Sequence, residues 1–205
     1  MKPKLSFSVL MSLYGRENPS FFREAFRSIY DEQTLKPNQI VLVLDGPIPT
    51  DLQTEVEKIR HTAGPILSIV ELPTNQGLAT ALNTGIKHCT HEWIFRMDTD
   101  DIALPNRFQV QTQYLENHSD IDVLGALMEE FDSSNINYSV MRHIPENHED
   151  IVKFAKSRNP INHPVCGFKK SAVKEAGGYP LVYPCLLYTS PSPRDATLSR
   201  MPSSA

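Results

Sequence analysis

Apolar runs alternate with amphipathic segments along most of the chain. Residues 5–13 (LSFSVLMSL) and 39–44 (QIVLVL) are rich in apolar and β-prone residues, which is typical of strands buried on both faces. Between these runs, Phe22, Phe26 and Ile29 recur at the spacing of an amphipathic helix. Strand and helix alternate five times in this way. The order predicts an α/β protein with a mostly parallel sheet and helices on both of its faces.

Local signals set the ends of these elements. Asn18 followed by Pro19 gives a capping residue with proline in the first helical turn. Thr50 and Gln53 resemble a capping box that opens the second helix. Beyond residue 127 the alternation loosens, and the chain forms one α/β domain without an internal repeat. The other predicted elements are strands at 67–72, 93–97, 122–127 and 165–168, helices at 50–61, 77–88, 105–117, 148–157 and 171–176, and a short hairpin within 131–140.

Residues 185–205 (CLLYTSPSPRDATLSRMPSSA) differ from the rest of the chain. They are rich in serine and proline and lack a helical or strand period, which is typical of a flexible tail. The string also resembles a translated sequencing-adaptor run. We therefore expect this tail to be unrelated to the domain of residues 1–184, and the natural continuation after Pro184 to be missing.

Composition and charge exclude several classes of protein. The 205 residues are 40% apolar and 21% charged, an ordinary globular balance for one domain. The net charge of −4 gives no broad attraction to nucleic acid, so no nucleic-acid partner is expected. Cys89, Cys166 and Cys185 show no CxxC spacing, which argues against a disulfide framework or zinc site and favours a reducing compartment. No segment approaches the roughly 18 apolar residues of a membrane span.

The strongest chemical signal follows the fourth predicted strand, where Asp98, Asp100 and Asp101 lie within one short segment. In open parallel sheets, ligands bind beyond the carboxyl ends of the strands. Neighbouring carboxylates repel one another unless a cation lies among them, and Mg²⁺ or Mn²⁺ prefers such oxygen ligands. Solvated loops and helix caps also carry acidic triplets. Because this one ends an apolar strand that contains Arg96, we predict a metal-diphosphate site.

The other strand ends carry less distinctive residues, and each has two interpretations. Asp45 either forms a turn or accepts a hydrogen bond from a base N–H or a ribose hydroxyl. The segment from Asn75 to Gly77 either caps the next helix or offers backbone N–H groups to a phosphate. Tyr14 either stacks on a nucleobase or covers the end of the sheet. His163 either contacts substrate or metal, or has a structural role in its loop.

Several enzyme classes lack their motifs here. No GxGxxG follows the first strand, and no GxxxxGK[ST] occurs, so the phosphate loops of dinucleotide-binding and P-loop proteins are missing. A GxSxG nucleophile elbow is also missing.

Taken together, five segments resemble the family 2 glycosyltransferases, and bacterial enzymes of capsule, exopolysaccharide and lipopolysaccharide assembly most closely. They are FSVLMSLYGRE, VLVLDGP, LPTNQGLATALNTGI, WIFRMDTDDIALPNRF and RNPINHPVCGFKKSAVKEAGGYP, and the likeness extends to about Pro184. The resemblance implies the GT-A fold, with a nucleotide-sugar-binding half over about 1–104 and the start of an acceptor half over about 105–184. It also implies inverting transfer of a sugar from a nucleotide-diphosphate donor to a saccharide or lipid-linked acceptor.

The resemblance also implies roles for individual residues. Asp45 would hold the base or ribose, and the segment from Ser12 to Tyr14 would line the nucleotide pocket. Asp98 and Asp100 would form the DxD pair that holds Mg²⁺ or Mn²⁺, with Asp100 as the better candidate for direct metal contact. The remaining candidates are Asn75 and Gly77 beside the donor, Arg96 as a second cation or as an ion-pair partner of the aspartates, and Asp101 and His163 on the acceptor side.

Inverting transfer needs a carboxylate that deprotonates the acceptor hydroxyl. Family members typically supply it shortly after a segment like Gly177-Gly178-Tyr179, so the resemblance implies that the base follows Pro184 and is lost from this chain. Two alternatives to an active glycosyltransferase therefore stay open: a nucleotide-sugar-binding module without turnover, and a metal-dependent nucleotidyltransferase. We expect a cytoplasmic location, at the inner face of the cell membrane if the full-length protein binds there peripherally.

Overall fold

The computed structural model of the protein describes residues 5–132 and 135–181. The strands are β1 (Phe7–Leu13), β2 (Gln39–Leu44), β3 (Leu67–Glu71), β4 (Trp93–Arg96), β5 (Val123–Leu124), β6 (Met128–Asp132), β7 (Asn135–Arg142) and β8 (Gly167–Lys169). The helices are α1 (Pro19–Ile29), α2 (Thr50–Ala63), α3 (Leu78–His88), α4 (Arg107–Asn117), α5 (His148–Phe154) and α6 (Lys170–Glu175), with short 3₁₀ turns at Gly64–Ile66 and His163–Val165.

Six strands form the central sheet in the order β3-β2-β1-β4-β8-β5. The first four are mutually parallel, whereas β8 runs antiparallel to both of its neighbours. Strands β6 and β7 form a separate antiparallel hairpin. The structure therefore confirms the predicted α/β class with its mostly parallel sheet, and it confirms the hairpin, of which residues 133–134 lie outside the described part.

Successive residues of β1 show why both faces of the sheet are covered. Val9 and Met11 belong to the hydrophobic cluster on the side of α1, α2 and α4, whereas Leu10 belongs to the cluster on the side of α3. All three are fully buried, as expected for a central strand whose side chains alternate between two packed faces. Helix α3 approaches closely because Gly85 faces the strands: a Cβ atom there would lie 2.3 Å from Cδ1 of Leu10.

The capping box predicted at the start of α2 is wrong. Pro49 is the N-cap residue, and Thr50 already lies inside the helix. The side-chain amide of Gln53 donates to the carbonyl oxygen of Ile48 (2.9 Å), so it does not bond back to the cap residue as a capping box requires. Proline cannot donate an N–H, which leaves no reciprocal pair to form at this position.

The fifth strand is shorter than predicted. The sequence predicts a strand over 122–127, whereas β5 spans two residues, and its partner among the described residues is the three-residue β8. Similarly, α4 begins two residues after Pro105, and α5 ends at Phe154, where the chain turns at Ala155.

Among residues 5–132 and 135–181, no helix is long and apolar enough to cross a membrane. Pro184 and the predicted tail of residues 185–205 lie outside the described residues, so the prediction about the tail stays a prediction.

Candidate functional site

The pairing of β1 with both β2 and β4 brings three strand ends together. Asp45 N–H donates to the carbonyl oxygen of Leu13 (2.8 Å), and Met97 N–H donates to that of Leu10 (3.2 Å). The segments after β2 and β4 therefore flank the end of β1, as the sequence predicts for parallel strands. Tyr14, the first residue after β1, is 39% exposed at this edge, and Ser12 is half-buried beside it.

Asp45 is buried and holds the loop before α3. Its two carboxylate oxygens accept the backbone N–H groups of Gln76 (2.7 Å) and Gly77 (3.0 Å). Of the two roles predicted for this segment, a helix cap or a donor of N–H groups to a phosphate, the N–H groups of Gln76 and Gly77 have this carboxylate as their partner. The carboxylate takes the place of an anion at the N-terminus of α3.

Arg96 is fully buried at the end of β4, and its guanidinium group forms an ion pair with the carboxylate of Asp98. It also donates to the carbonyl oxygens of Leu10 (2.7 Å) and Met97 (3.2 Å). Of the two interpretations of Arg96, the structure shows the ion pair. One consequence is that the orientation of the Asp98 side chain is fixed by a buried cation.

Arg107 is a second buried guanidinium, which the sequence analysis missed. It donates to the carbonyl oxygens of Arg96 (2.7 Å) and Pro164 (3.3 Å) and so ties the end of β4 to the turn at His163–Val165. Burial lowers its pKa to about 10, still far above neutral pH. An arginine in the first turn of a helix gives no sequence signal of burial, because most arginines are exposed.

Glu17 joins the three aspartates after β4, although the sequence analysis missed it. Burial and the nearby charge of Asp100 raise the pKa of Glu17 to about 7. Burial and the charge of Asp98 raise the pKa of Asp101 to about 6, and the same causes raise that of Asp100. These four residues, Glu17, Asp98, Asp100 and Asp101, are called the acidic cluster below. The raised pKa values of Glu17, Asp100 and Asp101 arise first from burial and then from the neighbouring carboxylates.

The Glu17→Gln variant tests this electrostatic arrangement. Because the folded-state pKa of about 7 lies above the ordinary value of 4.5, the folded chain binds more protons than the unfolded chain between these values. Stability from this group is therefore full at low pH and is lost as the pH rises through 7. Relative to the unmodified protein, the unfolding free energy of Glu17→Gln should therefore rise by ~1 kcal/mol between about pH 5 and about pH 8. This value allows for solvent screening, because Glu17 is half-exposed.

Urea denaturation at both pH values measures this rise, with Glu24→Gln on the exposed face of α1 as the control. Identical pH profiles for Glu17→Gln and Glu24→Gln would contradict the arrangement.

The acidic cluster has the oxygen ligands that a divalent cation prefers, but it does not form a closed coordination shell. Among the described residues, no three His, Cys, Asp or Glu side chains converge on a common point as metal ligands. Mg²⁺ and ions like it, however, usually bind through one or two carboxylates and complete their coordination with substrate phosphates and water. Asp100 is exposed and lies close enough to Asp98 for the charge of that carboxylate to raise its pKa, so the residues fit a cation that is shared with a diphosphate.

His163 begins the turn at His163–Val165 and lies close enough to Arg96 and Asp98 for their charges to act on it. Burial and the charge of Arg96 lower its pKa to about 4, so its imidazole is neutral at physiological pH. Its Nε2 lies 2.9 Å from the hydroxyl oxygen of Tyr179, within hydrogen-bond distance. The sequence leaves two interpretations of His163 open, and this contact shows a structural partner for it.

A cleft of about 460 Å³ lies between α2 and the carboxyl ends of β2 and β3, next to the segment that follows Asp45. Gly46, Pro47, Leu72, Pro73 and Arg60 line it, and no member of the acidic cluster does. The cleft therefore adjoins the loop that Asp45 holds and not the predicted cation site.

Solved structures with the same architecture define the class of fold. A mannosyltransferase from Pyrobaculum calidifontis in complex with GDP-Man and Mn²⁺ superposes with a TM-score of 0.63, covering 88% of this chain and 49% of that chain at 16% identity. TarS residues 1–349 of S. aureus in complex with UDP-GlcNAc gives 0.64, covering 85% and 48% at 21% identity. The fold is that of the GT-A glycosyltransferases, as the sequence predicts.

The chain belongs to glycosyl transferase family 2, whose family model matches residues 8–177. An uncharacterized glycosyltransferase of Haemophilus influenzae is 43% identical over 85% of this chain and 64% of its own length. The amylovoran biosynthesis glycosyltransferase AmsE of Erwinia amylovora is 40% identical over 84% and 63%. The UDP-Gal:alpha-D-GlcNAc-diphosphoundecaprenol beta-1,3-galactosyltransferase of Escherichia coli is 33% identical over 84% and 62%. The chain thus spans less than two thirds of the length of these relatives.

Proposed function

We propose that the chain is the donor-binding part of an inverting glycosyltransferase of cell-surface polysaccharide biosynthesis. It would bind a nucleotide-diphosphate sugar and transfer the sugar to a saccharide or lipid-linked acceptor. The observation that carries this proposal is the acidic cluster at the carboxyl end of β4, beside the loop that Asp45 holds. The relatives of the chain support the same assignment, since one is named for amylovoran biosynthesis and another for a diphosphoundecaprenol acceptor.

Asp98 and Asp100 are the residues proposed to hold Mg²⁺ or Mn²⁺ together with the diphosphate. When bound, the cation offsets the negative charge that builds on the leaving nucleoside diphosphate. Arg96 contributes by orienting Asp98 through their ion pair, which leaves Asp100 free to face the ligand. The mannosyltransferase of the same fold that was solved with GDP-Man and Mn²⁺ supports metal-dependent binding of the donor.

The nucleoside is proposed to lie between β1 and the loop before α3. Tyr14 offers an exposed aromatic face for a base, and Ser12 and Asn75 offer polar groups nearby. Asp45 acts here by fixing the backbone of Gln76 and Gly77, so that the edge of the pocket is already formed before the donor binds.

The acceptor side is proposed to begin at Asp101 and His163. Inverting transfer needs a carboxylate base, and the base that the resemblance places after Pro184 lies outside the described residues. Asp101 is the member of the acidic cluster proposed for this side, and burial raises its pKa to about 6, toward that of a base at neutral pH. The location proposed for the whole protein is the cytoplasm, with peripheral contact to the membrane that carries a lipid-linked acceptor.

A nucleotide-sugar-binding module without turnover is the second candidate. The acidic cluster and the loop that Asp45 holds support donor binding in either case, whereas the family match gives no support to a nucleotidyltransferase. Transfer of sugar from a bound donor to an acceptor by the chain would support the enzyme. Donor binding with hydrolysis or no turnover would support the module.

Calorimetry with UDP and GDP, each with Mn²⁺ and with EDTA, tests donor binding. We expect at least one nucleotide to bind, and removal of the metal to weaken binding by about tenfold or more, because the diphosphate otherwise faces the carboxylates directly. Asp100→Asn should reproduce the effect of EDTA, whereas Asp120→Asn on the exposed loop after α4 should not. Equal affinity in EDTA would exclude the metal, and binding of neither nucleotide would overturn the proposal.

A further inference from the structure

Asn83 forms hydrogen bonds with both backbone polar groups of Tyr179. Tyr179 N–H donates to Oδ1 of Asn83 (2.8 Å), and the Nδ2 amino group of Asn83 donates to the carbonyl oxygen of Tyr179 (2.8 Å). One amide side chain thereby satisfies both backbone polar groups of one residue, as a neighbouring strand would. Since Asn83 lies on α3 and Tyr179 follows α6, the pair joins segments that are far apart in the sequence.

Two glycines shape the chain for this contact. Gly177 and Gly178 have φ angles of +87° and +79°, which favour glycine. A Cβ atom on Gly178 would lie 2.7 Å from Oδ1 of Asn83, closer than real Cβ contacts allow. The double glycine therefore permits the turn toward α3 and, at Gly178, the close approach itself.

The side chain of Tyr179 makes a second connection. Its hydroxyl lies 2.9 Å from Nε2 of His163, and the two rings meet edge to face at a centroid distance of 5.6 Å. His163 opens the turn that Arg107 ties to the end of β4 through the Pro164 carbonyl. Residues 177–181 are thus attached to the carboxyl edge of the sheet by two routes, one through α3 and one through this turn.

Helix α3 is itself fixed at the edge of the site. Its N-terminal residues follow the loop that Asp45 holds, and its middle packs directly on the strands. At Gly85 a Cβ atom would lie 2.3 Å from Leu10 and 2.9 Å from Val43, so the helix cannot shift toward the sheet. Because the helix is rigid, a shift of the loop before α3 can be transmitted to the Tyr179 backbone, which is bound at the middle of the helix.

We infer that α3 rigidly connects the loop that Asp45 holds with residues 177–181. Asn83 is the positioning residue that fixes residues 177–181 beside the acidic cluster. The segment connects through His163 and Arg107 to the end of β4, where three members of the acidic cluster lie. The inference rests on the proposed function, because it assigns Asn83 a part in arranging the acceptor side around a bound donor.

Amide hydrogen exchange of Tyr179, followed by NMR, tests the inference. Without ligand, Asn83→Ala should speed exchange of the Tyr179 amide by about tenfold or more, because the partly buried acceptor of its N–H is removed. Lys87→Ala, an exposed change on the same helix, should alter it less than twofold. UDP or GDP, whichever binds with Mn²⁺, should slow this exchange in the unmodified protein by up to about tenfold at ten times its Kd.

The slowing by nucleotide separates positioning from simple support of the fold, and it needs no variant. In Asn83→Ala the nucleotide should still bind with a Kd within twofold, but it should no longer protect Tyr179. Nucleotide binding that leaves Tyr179 exchange unchanged in the unmodified protein would overturn the inference and leave the proposed function standing. Equal exchange rates of the Tyr179 amide in Asn83→Ala and Lys87→Ala would also overturn the inference. Absence of any nucleotide binding would overturn the proposed function and the inference with it.

Discussion

The Arg96→Met variant should lose about 3 kcal/mol of unfolding free energy in urea denaturation. Removing one partner of a buried ion pair typically costs about 3–5 kcal/mol, because the other charge is left uncompensated. Arg96 is fully buried, but the Asp98 side chain is 32% exposed, so water reduces the penalty toward the lower value. The carbonyl oxygens of Leu10 and Met97 also lose a donor. Methionine keeps the side-chain volume, so the loss reports polar interactions and not a cavity.

Two further variants isolate the cause. Arg60→Met removes a guanidinium that pairs with Glu57 on the surface of α2, and it should cost less than about 0.5 kcal/mol. Adding Asp98→Asn to Arg96→Met should recover about 1 kcal/mol, since the carboxylate is then no longer charged. A loss below about 1 kcal/mol for Arg96→Met would show that the guanidinium does not stabilise the end of β4.

The Gly46→Ala variant should lose about 3 kcal/mol of unfolding free energy and at least tenfold in nucleotide affinity. Gly46 has a φ angle of +87°, and a Cβ atom there would lie 2.4 Å from the backbone N of Asn75. Strained backbone conformations cost about 1–3 kcal/mol each, and the backbone clash adds to that cost. The loop before α3 must move to relieve the clash, which separates Gln76 and Gly77 from the carboxylate of Asp45.

Gly64→Ala is the matched control. Gly64 also has a positive φ angle, of +57°, but nothing lies within 4 Å of a Cβ atom at this position. It should cost only the backbone strain, about 1 kcal/mol, and leave nucleotide binding unchanged. Urea denaturation and calorimetry on both variants measure the difference. Equal losses in Gly46→Ala and Gly64→Ala would show that the contact with the loop before α3 is unimportant.

The elements that the sequence predicts best are those with a local cause. The apolar run of β2 matches its predicted bounds, because a strand buried on both faces has to be apolar at nearly every position. The start of α1 follows from Asn18, whose side chain accepts the N–H of Ser20 (2.8 Å). By contrast, β5 pairs with β8, which also pairs with β4, and nothing in the β5 segment reports the length of its partner.

Residues of the candidate site divide in the same way. The aspartates after β4 can be predicted, because parallel strands bring their carboxyl ends to one edge and the acidic residues lie within one segment. Glu17 reaches this cluster from the loop after β1, and only the folded chain shows its raised pKa. The partners of Asp45 and Tyr179 are likewise backbone and side-chain groups distant in sequence, which no local pattern reports.

Anomalous diffraction at the manganese edge, from crystals grown with Mn²⁺ and the nucleoside diphosphate that binds, tests directly whether the acidic cluster holds a cation together with a diphosphate. We expect one manganese peak within coordination distance of Asp98 or Asp100 and of the diphosphate, with the nucleoside directed toward Tyr14. A diphosphate bound away from the acidic cluster, or a manganese ion that touches neither aspartate, would contradict this expectation.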